Sequence, residues 1–345
     1  MKKVIFIIAL CFCFGPSGFA QDECILKLKA AQKNYEEGNI ETIPGLLSGC
    51  MEDGLKKEDK VTALKLLVNV HLFEDDMIKA EEAMVDLLTF EPEYEINELI
   101  DPIEFIDLYN TYRTDPAYSI GVIGGLNYSQ ISVIRDYGTP NTNDYKGTYL
   151  SPVVGNQLGL KASMYLFKGG NINLEAVYFT RKFNFATTLS GEGFLESQEK
   201  ESFLYLPLSF TYEKVFGKFI PYARIGGSME ITLAADAEMT RSYTDNSHNN
   251  VTGPEYNITA QRNRWNYSLV GGLGFKYKVN RGNVFVDVRY NLGLTNQAKA
   301  ENRFNNPTLL YQYHYVSDDF KANNLVMSIG YMRSFYNPKK NKVKS

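Results

Sequence analysis

Two long alternating apolar runs, Phe203–Phe216 and Phe219–Leu233, are separated only by Gly217-Lys218. Two more turns are nearly as short, Lys168-Gly-Gly-Asn171 and Asn280-Arg-Gly282. Every second connection is instead long and rich in Asn, Asp, Thr, Ser and Tyr: 132–151, 188–199, 236–264 and 298–320. Tight turns at one end and long loops at the other are the rhythm of a transmembrane β-barrel. The runs predict eight strands, at roughly 118–131, 152–167, 172–187, 200–216, 219–235, 265–279, 283–297 and 321–336. At 14–17 residues all exceed the 9–11 or so that cross a bilayer, so the excess should project beyond it. An even strand count brings both barrel ends to the short-turn side, which in outer membranes is periplasmic.

Alternation within each run assigns the faces. In the seventh run Val284, Val286, Val288, Tyr290, Leu292 and Leu294 oppose Asp287, Arg289 and Asn291. In the fourth, Leu204, Leu206, Leu208, Phe210 and Tyr212 oppose Tyr205, Ser209, Thr211 and Glu213. The same parity turns Lys161, Glu175, Arg181, Arg224, Glu230 and Lys276 inward. Alternation carries no sign, so a soluble sandwich with an apolar interior would show the same period; run length argues for the barrel. An eight-stranded barrel has room only for side chains, and unpaired buried charges are costly. The expectation is therefore a lumen plugged by Arg/Lys–Glu/Asp pairs among these nine residues. A narrow charged channel is the competing reading.

The chain opens with Lys2 and Lys3, the apolar run Val4–Phe14, and Gly18-Phe19-Ala20. This reads as a secretory signal cut after Ala20, its apolar stretch too short to span a membrane. Residues 24–112 then show helical spacing. Val61, Leu64, Leu67, Val68, His71 and Leu72 mark one face; Ile78, Ala80, Ala83, Met84, Leu87 and Leu88 mark the next, after a break at Glu74-Asp75-Asp76. Asp101-Pro-Ile-Glu104 predicts a further helix with Asp101 as its N-cap. His71, on an apolar face, reads as a core histidine. The domain boundaries follow: signal 1–20, periplasmic helical domain 21–116, barrel 117–336 and a basic, disordered tail 337–345. Cys24 and Cys50 flank the first helical pair in an oxidising compartment, so they form either a disulfide or two buried thiols.

Charge divides the same way. Residues 22–116 hold 9 Lys/Arg against 23 Asp/Glu, net −14; residues 117–345 hold 25 against 17, net +8. The split argues for two domains in different surroundings. Basic residues of the barrel form no stripe, and the compartment is wrong for nucleic acid.

Two resemblances follow from particular residues. Tyr35-x-x-Gly38-Asn39 and Leu72-Phe-Glu-Asp75-Asp76, with Ala80-x-x-Ala83 and Pro92, resemble tetratricopeptide-type helical repeats, the two breaks being 37 residues apart. That likeness implies a surface for a protein partner, or a spacer. Tyr118-Ser-Ile-Gly121, Gly124-Gly-Leu-Asn-Tyr128, Pro221-Tyr-Ala-Arg-Ile-Gly226-Gly227, Gly271-Gly-Leu-Gly274 and Ile329-Gly-Tyr-Met-Arg-Ser-Phe335 resemble the outer-membrane β-barrel domain common in Bacteroidota, the PorT-like group. This second likeness implies an envelope protein, with some relatives tied to secretion and gliding machinery.

Chemistry-bearing motifs are sparse. No metal-ligand spacing, phosphate-binding loop, dinucleotide fingerprint or nucleophile elbow is present, and no cofactor is expected. His248 and His314 are the histidines of the long loops. His314, near Ser317 and Asp318, is the one constellation suited to an outer-rim enzyme acting on lipid A or peptides. Asp236 and Glu238 could hold divalent ions at the lipopolysaccharide surface. The leading expectation is non-enzymatic: a plugged barrel in outer-membrane lipid and lipopolysaccharide, anchoring a helical module that docks a periplasmic or envelope partner.

Overall fold

The computed structural model describes residues 18–52, 54–137, 148–189, 193–243 and 249–340. The expected signal lies almost wholly outside them, as does His248. The chain divides into two units, one of residues 1–115 with 336–345, the other Pro116–Phe335.

The first unit is helical: α1 (Gly18–Glu36), α2 (Ile43–Ser48), α3 (Lys57–Phe73), α4 (Met77–Phe90) and α5 (Ile103–Asn110). Helix α3 is buried on two faces. Ala63, Leu66 and Val70 pack with Leu28 and Ala31 of α1 and Ile43 and Leu47 of α2. Leu64 and Val68 pack instead with Ala80, Met84 and Leu87 of α4 and Phe105 and Leu108 of α5. Sequence spacing found the second stripe and missed the first, because a helix sandwiched between two layers has no single polar face. Cys24 and Cys50 are disulfide-bonded, with Cα atoms 5.5 Å apart. His71 Nδ1 lies 3.2 Å from Glu74 Oε2.

Two expectations for this unit are corrected. Asp101 does not cap α5, whose N-cap is Pro102. Its buried carboxylate is drawn back instead, accepting from the Asn97 N–H at 2.8 Å and from Lys65. Nor is the described part of the tail, residues 337–340, without contacts. Tyr336 donates to Glu93 Oε1 at 3.1 Å, the Arg113 N–H donates to the Lys339 carbonyl at 3.0 Å, and Lys340 pairs with Glu81. The basic segment finds carboxylates on an acidic unit, as opposite charge dictates. Residues 341–345 lie outside the described residues.

The second unit is one antiparallel sheet of β1 (Tyr118–Arg135), β2 (Thr148–Val153), β3 (Gly155–Phe167), β4 (Gly170–Leu189), β5 (Gly193–Glu213), β6 (Phe219–Tyr243), β7 (Val251–Thr252), β8 (Tyr256–Asn257), β9 (Trp265–Val279), β10 (Gly282–Gly293) and β11 (Asp319–Phe335). Strands β2 and β3 follow one another along β4 and make one stave; β7 and β8 are short additions to β6. Eight staves remain among the described residues. Each pairs with its sequence neighbour, and β1 pairs with β11, so the sheet closes. Tyr118 opposite Phe335 puts both barrel ends at the short-turn end. Gly169 (φ 84°) and Gly217 (φ 59°) take the left-handed backbone that two of these turns require.

Burial supplies the sign that alternation lacks. On β10, Phe285, Asp287, Arg289 and Asn291 are buried, whereas Val284, Val288, Tyr290 and Leu292 are exposed. The outer face is an apolar band and the buried charges of the strands face the interior, where they surround an apolar cluster of Val177, Phe179, Phe203 and Phe285; an apolar outside over a charged inside is the polarity of a barrel in lipid. Aromatic residues mark the band's two edges: Tyr118, Tyr212, Phe219, Tyr277 and Phe335 near the short turns, Tyr128, Tyr178, Trp265 and Tyr290 toward the loops.

At the loop end β5 begins seven residues before its predicted start and β6 ends eight residues after its predicted end, while β4 gains only two residues there, the three reaching 20, 21 and 25 residues for β4, β5 and β6. Residues 193–199 and 236–243, expected as loop, are therefore strand. Beyond the band their polarity inverts. Outward positions become Glu196, Gln198, Lys200 and Glu238, and apolar Phe185, Leu195, Ala235, Ala237 and Met239 join the inward face beside Ser197 and Glu199. A bulge on β6 between Thr232 and Ala234 shifts its facing parity by one residue. Strict alternation carried past Leu233 would have turned Asp236 and Glu238 inward.

Candidate functional site

The lumen holds two clusters of paired charge. Glu175 on β4 centres the first, nearer the short turns. It accepts from Arg289 at 2.6 Å and Arg224 at 2.7 Å, and lies 3.6 Å from Lys161. Asp287 supports the same cations, 3.3 Å from Arg224 and 3.6 Å from Arg289, and accepts from the Tyr222 hydroxyl at 3.0 Å. Lys161 Nζ also sits 4.1 Å from the Phe285 ring centroid, a cation–π contact. Lys276 pairs with Glu213 near the short-turn rim.

Arg181 centres the second cluster. It donates to Glu230 at 2.9 Å and Glu201 at 3.1 Å, and its guanidinium lies 4.5 Å from the Phe203 ring centroid. Arg262 enters from the segment between β8 and β9. It donates to Glu201 at 2.9 Å and Ser317 Oγ at 2.9 Å, and pairs with Glu199, which also accepts from the Tyr315 hydroxyl. All nine residues marked by parity thus lie in ion pairs, drawn from six different strands.

Sequence reasoning missed Glu199, Glu201, Arg262 and Tyr315. Both acids share the parity of Glu213: Glu199 was hidden because 188–199 was assigned to a loop, whereas Glu201 lies within the predicted strand 200–216, where parity alone would have marked it. Arg262 and Tyr315 sit in irregular segments, where no period reveals direction. An apolar cap closes over these groups at the loop end. Phe185, Leu195, Ala235, Ala237 and Met239 pack against Ile258, Leu309, Tyr313 and Tyr315, so two of the long loops fold onto the inner face of the extended strands.

The outer-rim residues have structural contacts. Ser317 Oγ accepts from Arg262, and Asp318 Oδ1 accepts from the Tyr137 N–H at 2.7 Å. His314 takes a left-handed backbone (φ 54°) between the capping tyrosines. Asp236 Oδ1 accepts from Asn257 Nδ2 at 2.9 Å. No trio of His, Cys, Asp or Glu among the described residues is placed to hold a metal ion. No helix there is long and apolar enough to cross a membrane.

Comparison with known families matches residues 115–299 to the outer membrane protein beta-barrel domain. The chain belongs to this family. Membership places the protein in the outer membrane, in keeping with the apolar band and polar lumen. The match ends before β11, the strand that closes the barrel onto β1. Solved structures of similar form include OprG of Pseudomonas aeruginosa, at 16% identity over 64% of this chain and 98% of that one, with a TM-score of 0.34. Ail of Yersinia pestis aligns at 12% identity over 62% and 97%, TM-score 0.28. The protease OmpT of Escherichia coli aligns at 11% identity over 63% and 95%, TM-score 0.29. At such scores these likenesses carry no argument about activity. No curated protein matches the chain.

Proposed function

We propose that this outer-membrane barrel is a non-enzymatic anchor for a periplasmic helical interaction module. The single observation that carries the reading is the lumen. Six cations (Lys161, Arg181, Arg224, Arg262, Lys276, Arg289) meet six carboxylates (Glu175, Glu199, Glu201, Glu213, Glu230, Asp287) inside eight staves, beneath an apolar cap. Charges spent on one another hold strands together and conduct nothing. Ser317 and Asp318 are engaged in the same way, which supports a non-enzymatic rim.

Function then falls to the helical unit. Its exported chain carries the signal 1–20, and it joins the barrel at the short-turn end, which is periplasmic in this class. The likeness of its helices to tetratricopeptide-type pairs supports a protein partner, and the likeness of the barrel to the PorT-like group of Bacteroidota supports a place in a secretion, gliding or other envelope assembly. The docking point we favour is the turn before α5. Asp101, held by Lys65, and the Asn97 side chain brace this turn. It presents Leu99, Ile100 and Ile103 at 96%, 75% and 72% exposure, adjacent apolar side chains of the kind that line protein-docking patches.

The test uses the whole protein in its own membrane. A photo-crosslinker at Leu99 should trap one defined envelope protein, and Leu99→Asp with Ile100→Asp should abolish the adduct while leaving the barrel folded. Absence of any adduct, or steady conductance of the purified protein in planar bilayers, overturns the proposal.

A further inference from the structure

The two rims of the barrel differ in charge. Near the short turns, the barrel segments 163–174, 209–223, 273–286 and 328–335 contain a single carboxylate, Glu213. It is turned to Lys276 in the lumen. The same end exposes Lys168, Lys214, Lys218 and Arg333, with Lys278 half-buried. Backbone hydrogen bonds make most of these cations neighbours. The Glu213 N–H donates to Gly169 at 2.7 Å, joining the Lys168 turn to Lys214; the Lys278 N–H donates to the Lys218 carbonyl at 2.9 Å. Arg333 lies outward on β11, opposite Gly282 of the next turn. At the loop end the outward charges are mixed: Lys182 and Lys200 stand with Glu196, Asp236 and Glu238.

This single-sign arc lies beside the aromatic edge of the apolar band. Tyr212, Phe219, Tyr277 and Phe335 are all exposed there, and Lys214 Nζ lies 5.2 Å from the Phe216 ring centroid. Aromatic belts sit at headgroup level, so cations just beyond one meet lipid phosphates. We propose that the short-turn rim is a binding site for anionic phospholipid, its cation arc engaging the phosphodiester groups of that leaflet. The proposal rests on the barrel spanning a bilayer, and it assigns the rim a ligand of its own. Attraction of a polybasic surface to anionic lipid is worth about fivefold in affinity per Lys or Arg and is screened by salt.

The experiment uses the full-length protein in nanodiscs, with insertion first established by heat-modifiable migration. Spin-labelled phosphatidylglycerol and phosphatidylcholine are then compared at the protein surface. Wild type should prefer phosphatidylglycerol, and Lys214→Gln with Lys218→Gln and Arg333→Gln should lower that preference by tenfold or more. The matching Lys214→Arg with Lys218→Arg should keep it. Lys182→Gln with Lys200→Gln, at the other rim, should leave it unchanged. An inserted barrel without the preference, or with one the triple variant retains, overturns the lipid site and leaves the anchor reading intact. Displacement of the lipid by millimolar inorganic phosphate would also overturn it, marking a general anion site.

Discussion

Replacing Glu175 by Gln is the sharpest test of the lumen. The variant keeps the size of the side chain and some of its hydrogen bonds but removes the charge at the centre of the first cluster. Arg289, Arg224 and Lys161, at 2.6, 2.7 and 3.6 Å from the carboxylate, would then share Asp287 alone. Breaking a buried pair by removing one partner costs about 3–5 kcal/mol, mostly because the other charge stays buried. Here we expect about 3 kcal/mol, the low end. Among the described residues the Asn291 amide and Gln157 Oε1 have no hydrogen-bond partner, and polar spaces of that kind admit water that softens stranded charge. Adding Arg289→Gln restores the balance of charge, so the double variant should be at least about 1 kcal/mol more stable than the sum of the single effects. Urea unfolding in lipid vesicles measures both. The sole tryptophan, Trp265, lies exposed at the start of β9 and reports insertion. A Glu175→Gln cost below about 1 kcal/mol, with additive single variants, would refute the reasoning, because only solvated charges behave that way.

Replacing Cys24 and Cys50 together by Ser should destabilise the helical unit by about 3–4 kcal/mol, the loop-closure value for cysteines 26 residues apart, read from helical circular dichroism on heating. Asp101→Asn should cost about 2 kcal/mol and increase cleavage near Leu99 in limited proteolysis, because Lys65 and the Asn97 N–H lose a charged acceptor. His314→Ala should leave lipid A profiles and surface-protease activity unchanged, and an altered profile would restore the rim-enzyme reading.

Much of the barrel was legible because its strands cross two solvents with opposite demands. Lipid on one face and packed polar groups on the other force a period of two, so Val284 through Tyr290 and Asp287 through Arg289 separate on inspection. The same physics explains where legibility stopped. Once β4–β6 leave the band, outward residues turn polar and inward ones apolar, and a reading guided by outward hydropathy takes strand for loop at 193–199 and 236–243. The bulge before Ala234 has no signature of its own. Arg262 and Tyr315 approach the lumen through irregular backbone, which has no period to extrapolate.

In the helical unit, spacing identified the α3–α4 face but not the second buried stripe of α3, nor the return of the tail. Those depend on which layers lie on either side, a property of the packed chain. By itself the sequence determined the strand periodicity, the positions of the tight turns, the division of charge and the set of nine alternating lumen residues, all consequences of local chain geometry. Only the tertiary structure decided which face was inward, which acid met which base, that β1 and β11 close the sheet, and that two long loops fold down as a cap. Partners in those contacts are up to 217 residues apart, as Tyr118 is from Phe335, and pairing at that range is set by closure of the barrel rather than by any neighbouring residue.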